Sequence, residues 1–183
     1  MRIISLLSFL FLLSCTGSQS EFDKVLKNTG KNKTQRKLNE FRRGGIEKIL
    51  DTKKLSPSEF VTAAQKYVGM PHCDGGDGSY GCTDCSGLLY RIFSDVGLPL
   101  KFRGSQEMAR FGKIISDKKA LRKGDLVFFV RTYRTKRVIT HSGIMVDSDN
   151  WVHASTKRGV QIISLDDNDY WRERFVFGTR IFN

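Results

Sequence analysis

The order of two hydrophobic periods constrains this chain more than any other feature. Between residues 56 and 97 apolar side chains recur every three or four positions, and from residue 125 onward they alternate or run in short blocks. The first pattern is that of helices buried along one stripe, the second that of strands. Ser56-Pro57-Ser58-Glu59 opens the first helix as a capping box: Ser56 caps, Pro57 suits the first helical position, and Glu59 reaches back to the cap amide. Phe60, Ala63, Ala64, Tyr67 and Val68 line its apolar face, and Gly69 offers a stop. A second helix follows Asp84-Cys85-Ser86-Gly87, with Leu88, Leu89, Ile92, Phe93 and Val96 inward and Gly97 at its end. Gly104-Ser105-Gln106-Glu107 starts a third, short one. Strands are predicted at 125–130, 138–146, 151–154, 159–165 and 174–182, with turn signals at 134–136, 147–150 and 157–159. Such short connections favour an antiparallel meander. Helices first and strands after predict one α+β domain over residues 56–183, its helices packed on a curved antiparallel sheet of about five strands.

The chain ahead of this domain reads as an address and a tether. Arg2 is followed by eleven residues, Ile3 to Leu13, without a charge. That is short for a membrane span and fits a secretory signal. Leu12-Leu13-Ser14-Cys15 resembles the bacterial lipobox, which implies cleavage before Cys15 and diacylation of its thiol. The alternatives are an ordinary signal peptide with an incidental Cys, or a short anchor. Residues 1–14 are thus expected as a lipoprotein signal peptide and 15–55 as a lipidated Cys with a basic flexible linker. From Thr16 to Leu55 eleven Lys and Arg stand against five acidic residues, half of the net charge of +12. A solvated spacer explains this run, and contact with anionic lipid or wall polymer is compatible with it. Nucleic acid is an improbable partner for an exported chain.

Chemistry concentrates at three positions. Cys85 falls in the first turn of a helix with Asp84 as its cap, where the unpaired amides and the helix dipole favour thiolate. Two of the three histidines, His141 and His153, lie on consecutive strands joined by a tight turn. Adjacent antiparallel strands can bring both to one face. A thiol, an imidazole and a third polar group are the parts of nucleophilic acyl chemistry, although core or surface histidines would show the same spacing.

The surrounding words sharpen this reading. Asp84-Cys85-Ser86-Gly87-Leu88, Gly124-Asp125-Leu126-Val127-Phe128-Phe129, His141-Ser142-Gly143-Ile144 and Val152-His153-Ala154 occur in this order. Together they resemble the NlpC family of bacterial cell-wall cysteine peptidases, with weaker matches at Gly69-Met70-Pro71-His72, Gly75-Gly76 and Ser105-Gln106. The resemblance spans about Phe60 to Asn183. It implies a papain-like fold and cleavage of γ-D-glutamyl to diamino-acid bonds (diaminopimelate or Lys) in peptidoglycan stem peptides, with no cofactor or metal. It casts Cys85 as nucleophile, His141 as general base and His153 as third polar member. It also casts Asp84 and Ser86 as binding the amino end of the peptide, though Asp84 is equally explained as a cap alone. The Cys85 amide, with one loop side chain, is the expected oxyanion donor. Where the family usually has Tyr, this chain has His72, a titrating group beside the substrate.

Cys73 and Cys82 close a loop next to Cys85, and in an exported protein a disulfide between them is the first reading. Two free thiols are the alternative. A zinc site from His72, Cys73, Cys82 and Cys85 would consume the nucleophile and leave the histidine pair unexplained. The expected whole is a monomeric, lipid-anchored envelope enzyme, on the outer membrane. Its rivals are a papain-like amidase or acyltransferase, and an inactive wall-binding scaffold.

Overall fold

The computed structural model describes residues 16–30, 32–167 and 169–182. Cys15 and the predicted signal segment 1–14 lie outside the described residues. In chain order the elements are α1 (Thr16–Asn28), α2 (Lys33–Arg43), α3 (Pro57–Gln65), α4 (Cys85–Asp95), α5 (Ser105–Met108), β1 (Lys113–Ile115), a 3-10 turn (Lys118–Ala120), β2 (Leu126–Val130), β3 (Ile139–Met145), β4 (Asn150–Ser155), β5 (Gly159–Ser164), α6 (Asp169–Arg172) and β6 (Phe175–Arg180). The strands form one antiparallel sheet in the order β1-β6-β2-β3-β4-β5. The expected α+β architecture is present, and β2 to β5 are the predicted meander. The sheet has six strands rather than about five, because Lys113–Ile115 pairs with β6. Three residues are too few to show a period in the sequence.

Side-chain alternation divides the sheet between two clusters. Phe128, Ile144, Val152 and Ala154 pack with Phe60 and Ala64 of α3 and Leu88, Leu89, Ile92 and Phe93 of α4. Val127, Phe129, Met145 and Trp151 build a second cluster with Ile115, Leu121 and Leu165. The helix start at Ser56 is as read: its side chain accepts from the Glu59 amide, and Glu59 accepts from the Ser56 amide in return.

The segment expected as a flexible linker is folded, and this corrects the sequence reading. Phe22, Val25 and Leu26 of α1, spaced i, i+3, i+4, are buried, as are Leu38 and Phe41 of α2. They join the main core, where Phe22 and Phe41 both contact the ring of Phe177 on β6. Asn32 caps α2 by accepting from the Thr34 and Gln35 amides. Polar contacts then stitch the segment down. Arg110 donates to the carbonyls of Phe41 and Gly45, 2.8 Å each, with its guanidinium over the Phe41 ring. The Glu47 carboxylate accepts from the Ile114 amide at 2.9 Å, and Lys48 bridges to the backbone beside Phe111. The many cations misled because they occupy the outer face of two amphipathic helices.

Truncating Phe22, which is 0% exposed, tests this packing. Phe22→Ala is expected to cost about 3–5 kcal/mol in urea denaturation, as for other buried Phe. A loosely tethered segment would instead give a change within about 0.5 kcal/mol.

Candidate active site

Asp84 builds one half of the site. Its Oδ1 caps α4 by accepting from the Gly87 amide at 2.7 Å and from Ser86 Oγ at 2.8 Å. Its Oδ2 accepts from the Gly75 amide at 3.0 Å and pairs with Arg103 at 3.4 Å. The helix start and the loop before it are therefore held by one carboxylate. That loop is closed by a Cys73–Cys82 disulfide. The zinc reading thereby loses two of its four ligands. The Gly76 carbonyl accepts from the Asp84 amide at 3.1 Å and lies against Gly87, where an added Cβ would come within 1.9 Å of it. Gly87 thus completes the Asp84-Cys85-Ser86-Gly87 motif for a steric reason: the loop could not seat on a larger residue.

Strands β3 and β4 build the other half. Ile144 pairs with Val152, so His153 stands diagonally across from His141 on the same face. His141 Nε2 and His153 Nδ1 are 2.9 Å apart, and both residues are buried. The pair sits in an aromatic box: Trp151 stacks on His153 with centroids 4.1 Å apart, and Trp171 stacks on His141 at 4.8 Å. Gly143 completes its motif because an added Cβ would meet Trp151 at 2.4 Å. Ser142 hydrogen-bonds Ser105 at 2.8 Å, and Ser105 Oγ lies 3.6 Å from Cys85 Sγ.

Both halves line one cleft of about 900 Å³. His72, Asp74, Asp84, Cys85 and Ser86 come from the loop and α4, and His141 from the sheet. Tyr133 and Arg137 of the β2–β3 hairpin and Lys157 of the β4–β5 turn also line it. The structure thus brings Cys85, His141, Asp84, Ser86 and His72 to a common surface, with His153 directly behind His141. Sequence reasoning missed Trp151 and Ser142, whose roles appear only once strands are in register, and Trp171, which α6 brings over His141. Among the described residues, no three His, Cys, Asp or Glu side chains are grouped to hold a metal ion.

Electrostatics correct one expectation. The helix N-terminus was expected to favour the Cys85 thiolate, yet burial pushes the thiol above its ordinary value. Hydrogen bonding to Ser105 opposes this, and the Asp84 charge adds to it. Burial, with His72 adding to it and Asp84 opposing, lowers His141 from 6.5 to about 3. Burial and His141 also hold His153 well below 6.5. Burial thus works against the charged form of all three groups and favours a neutral thiol beside neutral imidazoles.

Residues 69–180 match the NlpC/P60 family. Among curated proteins, the chain is 41% identical over 118 residues to the bifunctional muramidase/DL-endopeptidase CwlT of Bacillus subtilis, covering 64% of this chain and 34% of that protein. It is 33% identical over 140 residues to the gamma-DL-glutamyl hydrolase of the same organism, covering 76% of this chain and 32% of that protein. It is also 40% identical over 101 residues to the murein DD-endopeptidase MepS/murein LD-carboxypeptidase of Escherichia coli K12, covering 55% of this chain and 50% of that one. The chain thus spans from a third to a half of the length of these relatives. A crystal structure of an NlpC/P60 family protein from Bacillus cereus superposes with a TM-score of 0.61 at 26% identity, over 72% of this chain and 42% of that one.

Two outcomes test the neutral site. Alkylation of Cys85, followed at its own peptide by mass spectrometry, is expected to accelerate only above the ordinary thiol value of 9.0. An inflection on the acid side of neutrality would reveal a preformed thiolate–imidazolium pair instead. Stability is expected to fall as pH drops from 6.5 towards 3, because the unfolded chain binds protons that buried His141 and His153 refuse. The urea midpoint should therefore be lower at pH 5 than at pH 7, by less in His141→Gln. Glu21, held near 2 by Lys24 and Ser116, loses its contribution only below its ordinary 4.5, so it leaves the comparison of pH 7 with pH 5 untouched and adds to the fall below that.

Proposed function

The chain belongs to the NlpC/P60 family, and from that premise we propose that it is a peptidoglycan hydrolase cutting the γ-D-glutamyl to diamino-acid bond of stem peptides. The observation that carries this reading is a single cleft lined by Cys85 and His141, with His153 2.9 Å behind His141. The printed names of the two Bacillus relatives, a DL-endopeptidase and a gamma-DL-glutamyl hydrolase, support the same bond.

In this mechanism His141 takes the Cys85 proton as the sulfur attacks the glutamyl carbonyl carbon. The hydrogen bond to His153 leaves Nδ1 as the nitrogen of His141 open to the thiol. Proton transfer within the pair removes the need for a free thiolate, which burial disfavours. The carbonyl oxygen gains the negative charge and is held by the Cys85 backbone amide at the start of α4. His141 returns the proton to the departing amino group of the diamino acid, leaving a thioester on Cys85. Water, deprotonated by His141, then releases the glutamyl carboxylate and restores the thiol. Asp84, with Ser86 and Asp74 on its wall, meets the amino end of the peptide. His72 faces the same peptide from the loop.

The reading includes lipidation of Cys15 after removal of residues 1–14, which would fix the enzyme to an envelope membrane, the outer one in this proposal. It acts as a monomer, without cofactor. Its support is the lipobox-like Leu12-Leu13-Ser14-Cys15. Because Thr16 already belongs to α1, an anchor at Cys15 would hold the domain close to the membrane rather than on a long tether.

The test is mass spectrometry of L-Ala-γ-D-Glu-diaminopimelate-D-Ala after incubation with the chain from Thr16 onward. L-Ala-D-Glu plus the diaminopimelate dipeptide is expected, and none with Cys85→Ala. His141→Ala should lose roughly 10²–10⁴-fold, the scale of general acid–base catalysis, and His153→Ala less. Turnover retained in Cys85→Ala would sink the mechanism. Release of D-Ala alone would point to the LD-carboxypeptidase activity in the name of the E. coli relative. Transfer of the acyl group to another acceptor would point to an acyltransferase. No product from any stem peptide would point to a wall-binding scaffold.

A further inference from the structure

The hydrogen bond between His141 and His153 joins two neutral rings, so only one of the facing nitrogens carries a proton. For His141 to accept the Cys85 proton at Nδ1, its own proton must sit on Nε2. That proton is then donated to His153 Nδ1, which must be bare, and the His153 proton is left on Nε2. The reverse arrangement puts a proton on His141 Nδ1 and abolishes the base. Whatever meets His153 Nε2 therefore decides whether His141 can work.

Gln161 meets it. It stands directly opposite His153 in the β4–β5 register, with its amide 3.3 Å from His153 Nε2. The amide nitrogen is the atom on that contact, and in that orientation it donates to His153 Nε2 and selects the idle tautomer of His141. A half-turn of the amide puts the carbonyl oxygen in the same place and reverses every donor along the line. We propose that Gln161 is a positioning residue for the catalytic base: its carbonyl accepts the His153 Nε2 proton and so holds His141 with Nδ1 bare. The hydrogen-bonded line runs Gln161, His153, His141, and ends at the cleft shared with Cys85. Gln161 is only half-buried and touches neither the thiol nor the scissile bond, so it acts through the two imidazoles alone. The proposal rests on the assignment of His141 as base, and its primary readout needs no substrate.

The chain has three histidines, His72, His141 and His153, which makes the measurement tractable. Nitrogen-15 histidine labelling of the full chain at neutral pH reads each tautomer from its nitrogen–proton correlations. In the wild type, His141 and His153 are both expected as Nε2–H imidazoles. Gln161→Leu and the near-isosteric Gln161→Met should mix or reverse these tautomers in folded protein. Gln161→Glu, which can only accept, should restore them. With a stem peptide, the Leu and Met variants should lower kcat by roughly 10- to 100-fold, the cost common when the outer partner of a working imidazole is removed. KM should be unchanged, since no substrate contact is touched. A wild type with Nδ1–H on His141, or tautomers unchanged in both Gln161→Leu and Gln161→Met, would overturn the proposal. Should both apolar variants fail to fold, the wild-type spectrum alone decides. If the wild type is inert towards stem peptides while the tautomers are as stated, the hydrolase reading fails and the role of Gln161 stands.

Discussion

One carboxylate organises the catalytic side of the molecule. Asp84 closes the first turn of α4, accepts from Ser86 and Gly75, and pairs with Arg103. A charged acceptor satisfying donors at a helix start is among the stronger hydrogen-bonding arrangements available to a protein. Its consequence is geometric. Cys85 is the next residue, so its position is set by the cap and by the loop that the same carboxylate holds. Arg103 adds a further tie by donating to the Gly75 carbonyl at 2.8 Å. The Cys73–Cys82 disulfide fastens the other end of that loop. The cleft wall facing the sheet is therefore tied together by contacts among residues 73–103, while the apolar face of α4 seats it on the sheet.

The opposite wall depends on burial. Enclosing His141 and His153 between Trp151 and Trp171 removes them from water, and that disfavours their charged forms. The same seclusion raises the thiol. A site of neutral groups has consequences for chemistry: charge must be created in the reaction, when proton and sulfur move together. A dry, rigid box suits this, because its dipoles are already oriented and need no reorganisation. It also means that hydrogen-bond direction, rather than net charge, controls which groups can accept a proton. Control by direction puts weight on groups outside the first contact, such as the amide opposite His153.

The N-terminal helices connect this site to the far end of the sheet. Phe22 and Phe41 pack on Phe177 of β6, and β6 lies between β1 and β2. Strand β2 in turn pairs with β3, with Phe129 opposite His141. Arg180 of β6 also reaches back to the buried Asp125 ahead of β2, at 2.7 and 3.0 Å. The sheet that carries His141 is therefore joined through β2 and β6 to the segment that precedes the predicted domain, although Phe177 and Phe129 belong to clusters on opposite faces. Residues 16–43 belong to the folded body, and the solvent-facing cations along them are a surface property of that body.

What was legible in the sequence follows from how local the cause is. The capping box at Ser56, the cap at Asp84 and the meander of β2 to β5 are written in neighbouring residues, so pattern alone finds them. Cys85, His141 and His153 each sit inside a short motif, and in the first two another member, Gly87 or Gly143, has a steric duty of its own. Residues 16–55 were misread because charge was weighed over spacing. Phe22, Val25 and Leu26 carry a helical stripe, but the partners that cover it, β1 and Phe177 of β6 among them, come far later in the chain, and no local pattern announces a partner. The thiol was misjudged for the same reason: a helix N-terminus is visible in sequence, whereas the desolvation that outweighs it is a property of the assembled cleft. Gln161 is the extreme case. It lies on a strand with ordinary spacing, and its meaning depends on a register that places it opposite His153. Residues that touch the chemistry announce themselves by type, whereas those that set a proton's position do so only through the neighbours that folding supplies.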